Sequence, residues 1–205
     1  MNLLAHQYLS FQIPDIQLGN LYGEIVRARD YLNYAEGIQK GILLHREIDS
    51  FTDSHEVVKR STRLFHKNQG KYSPVIVDVL YDYFLIKNWD TYSDIPFENF
   101  VTDCYQLFEE NLDEFPESLR YMMQYLLEYD WFHTYQTHEG IQRTLQGMSK
   151  RTKFENNMGE AVNELIKFEE ELNEHFNLFF PDLIIHCKDF LKDSYNFIDL
   201  KNTNK

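Results

Sequence analysis

Apolar residues along this chain recur at intervals of three and four, the spacing of a helix with one buried face. The pattern is clearest in 97–112, where Phe97, Phe100, Val101, Cys104, Leu107 and Phe108 share a stripe. Residues 19–29, 36–53, 55–68, 117–129 and 138–148 read the same way. Residues 154–178 predict a long acidic helix with Val162, Leu165, Phe168, Leu172 and Phe176 on its apolar side. Pro181 is expected to break the chain before a last helix over 182–193, because proline lacks the N–H that a helix interior uses. Ser73-Pro74 reads as the cap and first turn of a helix running to about Trp89, and Pro96 and Pro116 open two more. Strand-like alternation is nearly absent. The expected fold is all-α, one domain of roughly eight to ten helices over 1–198 with a polar tail at 199–205.

Composition sharpens this picture. With 16 Phe and 14 Tyr the core should be rich in rings, and disorder is excluded for most of the chain. Only 8 Gly and 5 Pro argue against a turn-rich β protein. A net charge of −13 makes the chain a poor nucleic-acid binder, since phosphate contacts dominate that affinity. The charge is uneven: residues 1–90 hold 10 basic and 11 acidic residues, residues 91–205 hold 10 and 22. Cys104 and Cys187 lie far apart and suggest neither a disulfide framework nor a thiolate zinc site. No run of about 18 apolar residues marks a membrane span. The first residues lack the basic start of a signal peptide, so a reducing cytoplasm is expected.

Candidate chemistry sits in the first half. His45, Asp49 and Asp53 follow one another at intervals of four in GILLHREIDSFTD, and Asp78 and Asp82 repeat the interval in PVIVDVLYDYF. Such residues share a helix face, and imidazole with carboxylates suits a divalent metal. Carboxylates among Val75, Ile76, Val77, Val79 and Leu80 are costly to bury unless paired or metal-bound. His6 and Glu24 lie in two further segments of mixed character. A blander reading makes His45 a core histidine, Asp49 a partner of Arg46 and Asp53 a helix-end residue. His55, His66, His133, His138, His175 and His186 lack comparable partners in the sequence and read as surface or core residues. No nucleophile elbow, phosphate-cradling glycine loop, H-E-x-x-H or EF-hand loop competes. Lys59, Arg63, Lys67 and Lys71 fall four apart with Arg60 beside them, and Glu56 is the sole acidic residue of 55–71. If that segment stays helical, they form a basic stripe able to steer an acidic partner.

The stretches NLLAH at 2–6, LGNL at 18–21, GILLHREIDSFTD at 41–53 and DVLYDYFLIKNW at 78–89 resemble the acyl carrier protein phosphodiesterase family. Gly140-Ile141 through Met148-Ser149, and FFP at 179–181, extend the likeness over nearly the whole chain. The resemblance implies an all-helical, HD-like fold and removal of the 4′-phosphopantetheine arm from holo acyl carrier protein with a divalent cation, Mn²⁺ by preference. It implies a metal shell of His45, Asp49, Asp78 and Asp82 with Glu24 close by, and His6 and Asp53 as supporting or proton-handling residues. Docking of the carrier would fall to Lys59, Arg60, Arg63, Lys67 and Lys71. The family typically has aspartate where this chain has Glu24, and histidine where it has Tyr83. The competing readings are an HD-like phosphohydrolase of another phosphoester and a non-catalytic helical protein that docks an acidic carrier.

Overall fold

The structure, a computed structural model, describes residues 1–192. Among these described residues eleven α-helices follow in order: α1 (Leu3–Tyr8), α2 (Pro14–Gly23), α3 (Glu36–Ser54), α4 (Glu56–Gln69), α5 (Ser73–Lys87), α6 (Trp89–Tyr92), α7 (Phe97–Glu110), α8 (Glu117–Glu128), α9 (Trp131–Thr134), α10 (His138–Arg151) and α11 (Val162–Leu191). Short 3-10 turns lie at Asp30–Asn33, Gly70–Tyr72, Leu112–Glu114 and Met158–Glu160, and no strand occurs among the described residues. The all-α expectation holds. The expected tail at 199–205 and the domain limit at 198 lie outside the described residues.

α5 is the central helix. Ile76, Val77, Val79, Leu80, Tyr81, Phe84 and Leu85 are all buried, so it is apolar nearly all round, as a helix enclosed by others must be. α1, α4, α10 and α11 pack on it. The ring-rich core forms where α5 meets α11: Tyr81 and Phe84 pack on Phe176, Tyr81 also meets Phe179, and Phe176 stacks on Phe180 at 4.8 Å.

α2 and α3 form the other half of the frame. They cross so closely that a Cβ on Gly19 would stand 2.3 Å from the Ile38 carbonyl oxygen, and one on Gly41 would stand 2.4 Å from that of Ile16. Two facing glycines let the backbones touch, which locks residues 20 and 45 into fixed relation.

Several expected boundaries move. α11 runs unbroken through Pro181, and its irregular residue is Phe168 (φ −114°, ψ 19°). A proline inside a helix costs about 3 kcal/mol. Burial of Phe179, Phe180, Leu183 and Cys187 around it offsets that cost, at roughly 1.5–3 kcal/mol for each large side chain. The same helix starts at Val162 rather than 154, because 152–157 is a hydrogen-bonded loop. α1 had no clear signal, and the helix expected over 19–29 is α2, ending at Gly23. Ser73 is no cap: it lies within α5 and donates to the Gly70 carbonyl at 2.7 Å. α4 stops at Gln69 because Gly70 takes φ 51°. Both cysteines are free and buried. No helix among the described residues is long and apolar enough to cross a membrane.

Candidate metal centre and active site

Four helices deliver the candidate residues to one cleft of about 270 Å³, lined by Met1, Asn2, His6, Glu24, His45, Asp49, Asp53, Val75, Asp78, Val79 and Met148. His6 comes from α1, Glu24 from the end of α2, His45, Asp49 and Asp53 from α3, and Asp78 from α5. His6, His45 and Asp49 place one donor atom each within 4.8 Å of one another. The two imidazoles stack, with centroids 4.3 Å apart and planes at 26°. The His45 ring lies flat on Gly23, where an added Cβ would meet its Cγ at 2.4 Å.

Asn20 decides which nitrogens face Asp49. Its amide Nδ2 donates to the His6 carbonyl and to Ser10 Oγ, both at 3.1 Å, which fixes Oδ1 on the opposite side. That Oδ1 accepts from Nδ1 of His6 at 2.9 Å and from Nδ1 of His45 at 3.0 Å. Both rings therefore carry a proton on Nδ1 and, when neutral, present Nε2 as a lone pair. Those Nε2 atoms face the Asp49 carboxylate at 3.2 Å and 3.4 Å. Lone pairs aimed at an anion repel unless a proton or a metal ion stands between them. The donor set, two neutral imidazoles and a carboxylate with the far ring nitrogens anchored, fits a divalent transition metal.

Burial and the charges around the cleft set the electrostatics of the site. Burial, then the charge of His6, pushes the His45 imidazole down to about 3 against the opposing pull of Asp49. Burial works to raise Asp49, but the His6 hydrogen bond and neighbouring positive charge outweigh it and hold the carboxyl below its ordinary range. Burial raises Glu24, with His6 pulling the other way. No hydrogen bond or ion pair occupies the Glu24 carboxylate among the described residues. Asp78 is raised by burial and relieved by the Met1 ammonium, which lies 3.2 Å from it and 3.5 Å from Asp49.

Of the four residues expected as metal ligands, His45, Asp49 and Asp78 line the cleft and Asp82 does not. Asp82 is fully buried, and its two oxygens accept the backbone N–H groups of Leu4 at 2.9 Å and Ala5 at 3.1 Å. Burial pushes its carboxyl up to about 7 against the pull of those donors. It therefore caps α1 and holds His6 in place. His6, expected in a supporting role, joins His45 and Asp49 in the trio whose donor atoms converge, while Glu24 and Asp53 stand at the cleft wall. Tyr83 also lies away from the cleft: its hydroxyl meets His138 Nε2 at 3.2 Å and donates to Glu169 at 2.5 Å. Tyrosine at this position thus leaves the cleft's ligands untouched.

Five of the six remaining histidines are better partnered than expected. His55 pairs with Asp182, His133 with Asp130 and Glu98, His138 with Glu169 and His186 with Glu47, all outside the cleft. His175 accepts or donates to buried Ser61 at 3.0 Å. The residue missed outright is Asn20. A neutral amide carries no charge signal, and only its place beside Gly19 in LGNL marked it.

Comparison with known proteins bears on this cleft. The model of the acyl carrier protein phosphodiesterase family matches residues 1–183, which include every cleft-lining residue. The chain belongs to the acyl carrier protein phosphodiesterase family. Acyl carrier protein phosphodiesterase of Klebsiella pneumoniae (strain 342) is 31% identical over 185 residues, covering 90% of this chain and 96% of the relative. That of Pectobacterium atrosepticum is 35% identical over 152 residues, 74% of this chain and 79% of its own, and that of Enterobacter sp. (strain 638) is 28% identical over 92% and 98%. No solved structure matches the chain. Membership makes the chain a phosphodiester hydrolase, and the trio, Asn20 and Glu24 lie within the matched span.

Proposed function

We propose that this chain removes 4′-phosphopantetheine from holo acyl carrier protein by metal-dependent hydrolysis of the phosphodiester. The observation that carries the metal is the facing of two imidazole lone pairs and one carboxylate, which is stable only around positive charge. His6, His45 and Asp49 would hold the ion, with Asp78 in the same cleft, and Mn²⁺ is the expected metal. When bound, a divalent ion supplies a water of lowered pKa and a counter-charge for the phosphoryl oxygens.

The chain's own residues do the rest. Asn20 keeps both Nε2 atoms turned to the cleft. Glu24, raised by burial, holds a proton at a higher pH than a free glutamate. It gives that proton to the serine oxygen of the carrier as the P–O bond breaks. Water oxygen bonds to phosphorus, and apo carrier and free 4′-phosphopantetheine leave. Asp53, exposed at the mouth, can pass the water's proton to solvent. Docking of the acidic carrier falls to the outer face of α4, where Lys59, Arg60, Arg63 and Lys67 are exposed. Lys71, past Gly70, extends it from the 3-10 turn, and Lys59 shares its charge with Glu56 at 2.8 Å.

The test is incubation of the Mn²⁺-loaded protein with holo acyl carrier protein, read by intact mass. The expected result is conversion to the apo carrier. An unchanged carrier mass with the metal bound would overturn the proposal.

A further inference from the structure

A carrier whose serine reaches the trio must bring its own surface against the rim of the cleft, where α4 contributes no lining residue. Met148 does line the cleft, from α10. The chain beyond it reads Ser149-Lys150-Arg151-Thr152-Lys153-Phe154, in which Lys150, Arg151 and Lys153 are exposed. In a chain of net charge −13, three exposed cations within four residues make this a locally basic stretch, with Glu155 the next acid along the chain. Phe154 is 65% exposed, the largest exposure among the large apolar residues described.

That exposure is built. Thr152 Oγ1 lies 2.9 Å from the carbonyl oxygen of Ser149 and 3.1 Å from that of Phe154, and its single proton is shared between them. Asn156 Nδ2 donates to Thr152 Oγ1 at 2.6 Å and to the Phe154 carbonyl at 3.1 Å. The Thr152 hydroxyl and the Asn156 amide together hold a short loop whose tip turns a phenyl ring to solvent. Lys71 lies over this ring, 3.9 Å from its centroid, so the loop is fastened to the end of the α4 stripe, beside cleft-lining Val75. An exposed aromatic flanked by Lys71, Lys150 and Lys153 has the make-up of an interface anchor.

We infer that Phe154, with Lys150 and Lys153, forms the second wall of the docking surface, taking an acidic protein face that presents an apolar residue to the ring. The occupant is the carrier itself, so the inference rests on the function proposed above. Charge complementarity favours it over a second copy of this acidic chain.

The experiment measures binding of apo acyl carrier protein to the full-length Mn²⁺-loaded protein by surface plasmon resonance at low and high salt. Parent, Phe154→Ala and Lys150→Glu/Lys153→Glu are compared, with turnover of holo carrier and of a small phosphodiester alongside. Expected is a roughly tenfold weaker affinity for each variant, as for loss of an interface anchor. The charge-reversed defect should shrink at high salt and that of Phe154→Ala should not, with small-diester turnover unchanged. Parent-like affinity in both variants would overturn the inference, as would a parent that does not bind carrier. Carrier binding that is lost in the variants, in a parent that leaves holo carrier uncleaved, supports the wall and sinks the proposed reaction instead. Self-association by light scattering that Phe154→Ala abolishes, with carrier affinity intact, would reassign the ring to a contact between copies.

Discussion

Replacement of Asn20 by alanine should weaken Mn²⁺ binding without touching a ligand. Asn20 is fully buried and makes four hydrogen bonds, two of which fix the proton on Nδ1 of His6 and His45. Without it each ring is free to carry its proton on either nitrogen. With equal preference, the population presenting both Nε2 lone pairs falls to about one quarter, a fourfold loss of affinity. Freed ring rotation adds to this, and removal of such ring anchors costs about 10–100-fold in metal affinity, or about 1.4–2.7 kcal/mol. The variant also loses about 2–5 kcal/mol of stability, from four hydrogen bonds and the buried groups left unpaired. Asn20→Asp separates the two effects, since its carboxylate still accepts from both Nδ1 atoms while losing the donations to His6 and Ser10. It should be destabilised yet bind metal close to the parent. The assay is a Mn²⁺ titration followed by the electron paramagnetic resonance of the free ion, on protein shown to be helical by circular dichroism. A dissociation constant for Asn20→Ala within twofold of the parent's would refute the tautomer argument.

Four further outcomes follow from the same geometry. Metal-free protein should lose stability as pH falls from 6.5 towards 3, because the unfolded chain protonates His45 before the folded one does. The slope from this residue is at most about 1.4 kcal/mol per pH unit, and acid denaturation of His45→Gln should lack it. Glu24→Ala should lower turnover of holo carrier by about 100-fold or more, with Glu24→Asp preserving or raising it, both read by intact mass. Asp82→Ala should cost about 2–5 kcal/mol in urea unfolding through loss of the α1 cap, while Mn²⁺ affinity extrapolated to the folded state of Asp82→Asn stays near the parent's. Arg63→Glu/Lys67→Glu should raise the apparent KM for carrier mostly at low salt, with a small phosphodiester cleaved as before.

Periodicity revealed most of the helices because most have one wet face. It failed where that contrast vanished. α5 is enclosed, so the interval of four between Asp78 and Asp82 did not say that one faces the cleft and the other α1. On α3, which keeps a wet side, His45 and Asp49 do meet as their spacing implied. Pro181 misled because local propensity yields to packing, and the buried Phe179, Phe180 and Leu183 keep the helix continuous through it. Asn20 was hidden because its role is to orient neighbours, which leaves no trace in charge or spacing.

Six residues are too few to stay helical unaided. α1 persists because a carboxylate 78 positions along the chain from Leu4 clasps its first turn. His6 is thus delivered by a segment whose local opening has to break this clasp. Release of the clasp withdraws one imidazole and leaves His45 and Asp49 standing on α3. The rate at which an ion enters or leaves should therefore follow the lifetime of this clasp, and the amides of Leu4 and Ala5 should exchange with solvent on the same clock.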